Sequence, residues 1–246
     1  MLADVSRNRR ATPLQEVRIT PEECTPDVKH RIIAGMPFLR DLSEDEVRRI
    51  EPAFHEHGFT AGERVHVDRD GGRGLYVVGA GLIKLLRTDY DGREVVLDLL
   101  VTGEFFGSAA GGTTTDRAVA HTNSCVFHVP ESRFDALLEQ YPGIASRLFR
   151  LSSERVAMLH ERLHELSGAP ARSRVIETLH RLAAKVGTRN SEGILLQVPL
   201  TREELASLSG TTTETTSRIV SAMKRDGHIK AGRRWITLTD TFFGLD

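Results

Sequence analysis

Apolar residues follow three spacing regimes along the chain. Residues 1–27 keep no period and carry Pro13, Pro21 and Pro26, which predicts a polar extension. From Val28 the residues Ile32, Ile33 and Met36 fall at helical spacing. Ser43, with Glu46 three positions later, is a capping-box pattern that opens a second helix through Val47 and Ile50. Between Phe54 and Pro130 the period drops to two. Short runs at Val65/Val67, Leu75/Val77, Leu82-Ile83, Leu85-Leu86, Val95/Leu97/Leu99 and Val126/Val129 alternate with glycines. Asp91-Gly92 between two of them is a hairpin turn signal. So many short strands in about eighty residues predict an antiparallel β-roll of the jelly-roll kind.

The helical period returns at Pro142 and runs long. Phe149, Ser152, Val156, Leu159, Leu163 and Leu166 alternate in steps of three and four, an a/d seam. Ile144, Leu148, Leu151, Arg155 and Met158 form a second stripe beside it. One stripe suits the β-roll and the other a partner helix, so a parallel homodimer is expected. The alternative is a helix buried on both sides within one chain. Gly168-Ala169-Pro170 ends this helix and predicts a hinge. The expected organisation is an extension over 1–27, a sensor-like roll over 28–141, a dimerisation helix over 142–168 and a third domain over 169–246. Within the last, Val175, Ile176, Leu179, Leu182 and Ala183 mark an amphipathic helix. A polar loop, Gly187 to Gly193, then leads into a strand from Ile194 to Val198.

Thr201 with Glu204 is a second capping box, followed by Leu205 and Leu208, the turn Ser209-Gly210, and another helix. That helix has Ile219, Val220 and Met223 on one side and Thr212, Thr213, Glu214, Ser217 and Arg218 on the other. Helix, short turn, helix is the helix-turn-helix pattern, and hydroxyls, one acid and one arginine suit base edges in a major groove. Gly232-Arg233-Arg234-Trp235-Ile236-Thr237-Leu238 then alternates around a glycine as a β-wing, with Arg233 and Arg234 toward DNA phosphates. Charge agrees with this picture. The whole chain is net −1, yet residues 169–246 hold 12 Lys+Arg against 8 Asp+Glu. A local basic excess favours a polyanion partner.

These segments resemble the CRP/FNR superfamily of transcription regulators over about residues 30–240. The resemblance rests on the roll with Gly103-Glu104-Phe105-Phe106-Gly107, the long helix, and Val198 to Ala206 leading into Thr213-Glu214-Thr215-Thr216-Ser217-Arg218. The Glu-x-x-Ser-Arg element is similar to recognition helices that read TTGA…TCAA inverted repeats. The likeness implies an α+β protein that binds double-stranded DNA as a homodimer, works with RNA polymerase in the cytoplasm, and performs no catalysis. It implies that Thr213, Glu214, Ser217 and Arg218 meet bases, and that Thr201, Arg202 and Thr212 join the wing arginines on phosphates. It also implies an effector pocket around Gly107, Ser108, Arg117, Leu159 and His160. Ser108 stands where a ribose-binding glutamate is usual, and Ala118 where a phosphate-binding serine is usual. Both departures argue against cyclic AMP, because a lost hydrogen bond to a charged group costs about 1.5–3 kcal/mol. Arg117 is then either an effector ligand or a structural ion-pair former.

Composition narrows the alternatives. The 246 residues include only Cys24 and Cys125, so one chain cannot supply the four thiolates of an FNR-type iron–sulfur cluster. Cys125 reads as a buried core residue. Haem stays open. Cys125 and His128 fall on opposite faces of a strand, whereas His55 and His57 share one. A metal-dependent cupin-like jelly roll, using His55, His57, Glu63 and His66, is the competing reading from a different class. No apolar run suits a membrane span, and no secretory leader pattern precedes the helices.

Overall fold

The computed structural model describes residues 13–14, 26–65, 73–107 and 116–245. It forms two compact units, divided along the chain between Ala169 and Pro170. Cys24, His66, Val67 and Ser108 lie outside the described residues.

In the first unit, α1 (Pro26–Ala34) and α2 (Glu44–Ile50) precede the strands. Helix α1 starts at Pro26 rather than Val28, since proline is at ease in a helix's first turn. The box at α2 forms in full: Ser43 Oγ accepts from the Glu46 amide, and the Glu46 carboxylate accepts from the Ser43 amide at 2.8 Å. Seven strands follow: β1 (His55–Phe59), β2 (Gly74–Ala80), β3 (Ile83–Thr88), β4 (Glu94–Leu100), β5 (Phe105–Gly107), β6 (Arg117–Ala120) and β7 (Ser124–Pro130). They pair antiparallel in two sheets, ordered β1-β7-β2-β5 and β4-β3-β6. Val65 belongs to none of them; beside it a single bridge joins Arg64 to Val119.

Alternation along β2 and β7 sorts their side chains into two cores. Leu75, Val77, Cys125, Phe127 and Val129 face the helices, packing with Ile33, Met36, Phe38 and Phe134. Tyr76, Val78 and Val126 face the interior of the roll, with Phe59, Ile83, Leu100 and Ala120. The β2–β7 register shifts between Val78 and Ala80, at Gly79, where a Cβ would sit 2.7 Å from the Phe127 ring. After α3 (Glu131–Gln140), the 27-residue α4 (Pro142–Gly168) lies along this unit. Its roll-facing stripe is Ile144, Leu148 and Leu151, continued by Arg155 and Arg162, which donate to the Phe105 and Leu97 carbonyls. Met158 was expected in that stripe but is exposed, since the arginine stems replace apolar contact beyond Leu151.

The second unit begins with α5 (Ala171–Val186). The expected polar loop is a strand: β8 (Gly187–Asn190) pairs with β9 (Gly193–Leu196). Its side chains are all exposed, so no alternation marks it in the sequence. Next come α6 (Arg202–Leu208), α7 (Thr213–Arg225), β10 (Ile229–Gly232) and β11 (Trp235–Leu238), in a sheet ordered β10-β11-β9-β8.

Candidate nucleic-acid interface

Helix α7 is amphipathic at one-turn resolution. Thr216, Val220 and Met223 recur at intervals of four and three and are buried. The opposite face presents Thr213, Glu214 and Arg218 to solvent, with Ser217 half-buried beside them. Arg218 and Glu214 approach only to 3.9 Å and are both largely exposed, so neither is consumed by the other. Thr212 caps the helix: its Oγ1 accepts from the Thr215 amide at 3.2 Å.

The preceding α6 is held by its own box, in which Thr201 Oγ1 accepts from the Glu204 amide at 3.1 Å and the Thr201 amide donates to Glu204 at 2.9 Å. Such caps stabilise by about 1 kcal/mol. Arg202, the first residue of α6, is half-buried, and desolvation pulls its guanidinium below the ordinary arginine range. Among the described residues no carboxylate compensates it. A partly dehydrated, unpaired cation has much to gain from an external anion.

The turn between α6 and α7 is tied from a third helix. Arg174 on α5 donates to the carbonyls of Ser209 and Gly210, where sequence spacing offered no sign of it. The tip of the β10–β11 hairpin carries Arg233 and Arg234, both exposed. Arg234 donates from Nε to the Pro199 carbonyl at 3.1 Å.

The expected effector residues distribute as follows. Gly107 ends β5 with φ +107°, and a Cβ there would lie 2.4 Å from the Gly74 carbonyl oxygen, so the chain requires glycine. Arg117 on β6 pairs with Glu94 on β4, a partner that sequence reading missed. Its Nε is buried and without a hydrogen-bond partner among the described residues. Leu159 and His160 are exposed on α4. The seam residues Phe149, Ser152, Val156, Leu159, Leu163 and Leu166 are all exposed, Phe149 to 74% and Leu163 to 59%.

Among the described residues the histidines do not assemble a cupin site. His55 and Glu56 are exposed, and Glu63 is engaged by the Thr60 amide and hydroxyl. His57 approaches His128 at 6.4 Å between ring centroids, and no group of three metal-ligating side chains forms among the described residues. Cys125 is buried and forms no disulfide among the described residues. No described helix is long and apolar enough to cross a membrane.

Comparison with known proteins converges on one family. Residues 56–141 match the cyclic nucleotide-binding domain model, and residues 173–241 match the Crp-like helix-turn-helix domain model. The chain is 30% identical over 220 residues to the cyclic AMP receptor protein of Thermus thermophilus, covering 86% of this chain and 99% of that one. It is 28% identical over 218 residues to the transcriptional activator protein FnrL of Cereibacter sphaeroides, covering 87% and 86%. The solved structure of FixK2 from Bradyrhizobium japonicum shares the fold, with a TM-score of 0.68 at 20% identity over 78% of this chain and 97% of that one. The chain belongs to the CRP/FNR superfamily of transcription regulators, and its helix-turn-helix unit binds DNA.

Proposed function

We propose that the protein acts as a parallel homodimer that reads a TTGA…TCAA-like inverted repeat. The observation that carries this reading is the exposed face of α7. Arg218 supplies a bidentate donor for guanine O6/N7, Glu214 accepts from cytosine N4, and Thr213 and Ser217 complete the set of base-reading groups. Thr201, Arg202, Thr212, Arg233 and Arg234 fix the protein on phosphates without reading sequence. The seam on α4 supports the dimer, since a continuous row of large exposed apolar side chains is costly for a lone helix in water. Two-fold symmetry then sets two copies of α7 in successive major grooves, about 34 Å apart.

In this reading the β-roll is a sensor with an altered ligand. Two features support this: Arg117 pairs with Glu94, and Ala118 beside it offers no hydroxyl to a phosphate. In this reading Arg117 serves as an ion pair with Glu94 across the β4-β3-β6 sheet. A signal reaching the roll or α4 changes the DNA-binding units through the segment Gly168-Ala169-Pro170. Any effector must bind two states of the protein with different affinity. The regulator works in the cytoplasm and contacts RNA polymerase from its bound operator.

Selection of bound duplexes from a random pool tests the reading. Two inverted TTGA-like half-sites, about one helical turn apart, are the expected enrichment. A single asymmetric site would overturn the dimeric operator.

A further inference from the structure

Arg234 is the one non-glycine residue with positive φ among the described residues, at +64°. It lies in the two-residue turn between β10 and β11, where Gly232 pairs with Trp235. Left-handed backbone is disfavoured for any residue with a Cβ, and glycine or asparagine is the usual occupant. Gly232, two residues earlier, lies close under Trp235: a Cβ there would meet the indole at 2.2 Å, so the ring would have to move.

The side chain shows what the strain accompanies. Arg234 Nε donates to the carbonyl of Pro199 at 3.1 Å, across 35 positions of sequence. Pro199 stands two residues before Thr201, the cap of α6, and three before the unpaired Arg202. The hydrogen bond therefore ties the wing tip to the chain that enters the helix-turn-helix. Backbone strain retained at one residue points to a role that outweighs it.

We propose that Arg234 is a positioning residue for DNA binding, clasping the wing to the entrance of α6 so that wing and helix-turn-helix meet one DNA backbone as a single surface. Its Nη groups stay exposed and available to that backbone. This role presupposes that the wing lies along DNA.

Two substitutions separate positioning from folding. Arg234→Gly removes the clasp and also the strain, whereas Arg234→Ala removes the clasp and keeps the strain. Thermal melting and anisotropy titration are done on full-length protein with a duplex of arbitrary sequence at low salt. Such a duplex makes the result independent of the operator. Arg234→Gly is expected to melt at or above the wild-type temperature and several degrees above Arg234→Ala, by about 4–8 °C per kcal/mol for a domain of this size. Both variants are expected to bind DNA about tenfold more weakly than wild type, and more weakly than Arg233→Ala, which removes one exposed charge from the same turn and keeps the clasp. Equal losses in the three variants would reduce Arg234 to a phosphate contact and overturn the proposal. A residue that serves folding alone would give affinities that follow the melting temperatures. Wild-type affinity in Arg234→Gly would overturn the proposal. Absence of binding by the wild-type protein would instead count against the wing lying on DNA at all.

Discussion

Arg174 Nε donates to the carbonyl oxygen of Ser209 at 3.0 Å, and its Nη2 reaches the Gly210 carbonyl at 2.9 Å. Ser209 is buried at the end of α6, where carbonyls lack helical partners and the helix dipole is negative. A guanidinium from α5 meets both needs and ties the turn between α6 and α7 to α5. Arg174→Ala leaves the Ser209 carbonyl without that donor and should lower stability by about 2–3 kcal/mol. Urea unfolding followed by the fluorescence of Trp235, the single tryptophan, measures this in the second unit. An unchanged midpoint would show that the turn holds itself.

The α4 seam predicts assembly. Leu163→Glu places a charge in the middle of the exposed apolar row and should convert a dimer to a monomer in analytical ultracentrifugation. Glu161→Lys, on the far side of the same helix, should leave the dimer intact. Dimers that survive Leu163→Glu would mean the seam is covered in some other way.

Base reading and phosphate holding differ in their salt behaviour. Arg218→Ala should cost about 1–3 kcal/mol of discrimination at one base position. Arg233→Ala should weaken all sequences alike and reduce the salt slope by about one. If Arg218→Ala keeps full specificity, the recognition face has been assigned to the wrong side of α7.

Three carboxylates of the first unit titrate low. The hydrogen bond from Arg147 lowers Asp41 below its ordinary 3.8. Arg48 lowers Glu44, and the Ser43 amide lowers Glu46, both below 4.5. In each case the folded state binds protons less readily than the unfolded chain. The contribution is complete above about pH 5 and disappears as pH falls through the folded-state values. Glu46→Gln removes one of these groups, so its stability should fall less steeply with pH below 4.5 than that of the wild type. Equal slopes would mean the α2 cap does not report on acid unfolding.

Much of this architecture is legible in local pattern. Both capping boxes span four residues, and the seam repeats within one helix, so short windows contain all the information. The same holds for the exposed face of α7, which follows from the period of Thr216, Val220 and Met223. What short windows lack is the pairing of distant groups. Arg174 with Ser209, Arg117 with Glu94, and Arg234 with Pro199 are joined only by the tertiary fold. Strand β8 escaped for a different reason: a solvent-exposed edge strand such as Gly187–Asn190 needs no apolar alternation. Met158 was misread because helical period cannot distinguish an apolar contact from arginine stems covering the same face.

Sequence-selective DNA binding through α7 is measured by an anisotropy titration of purified full-length protein, without added effector, at one fixed salt concentration. One duplex carries a TTGA…TCAA inverted repeat and the other a scrambled sequence of equal length. Binding to the inverted repeat is expected to be at least about a thousandfold tighter than to the scrambled duplex. Equal affinity for the two duplexes would contradict it.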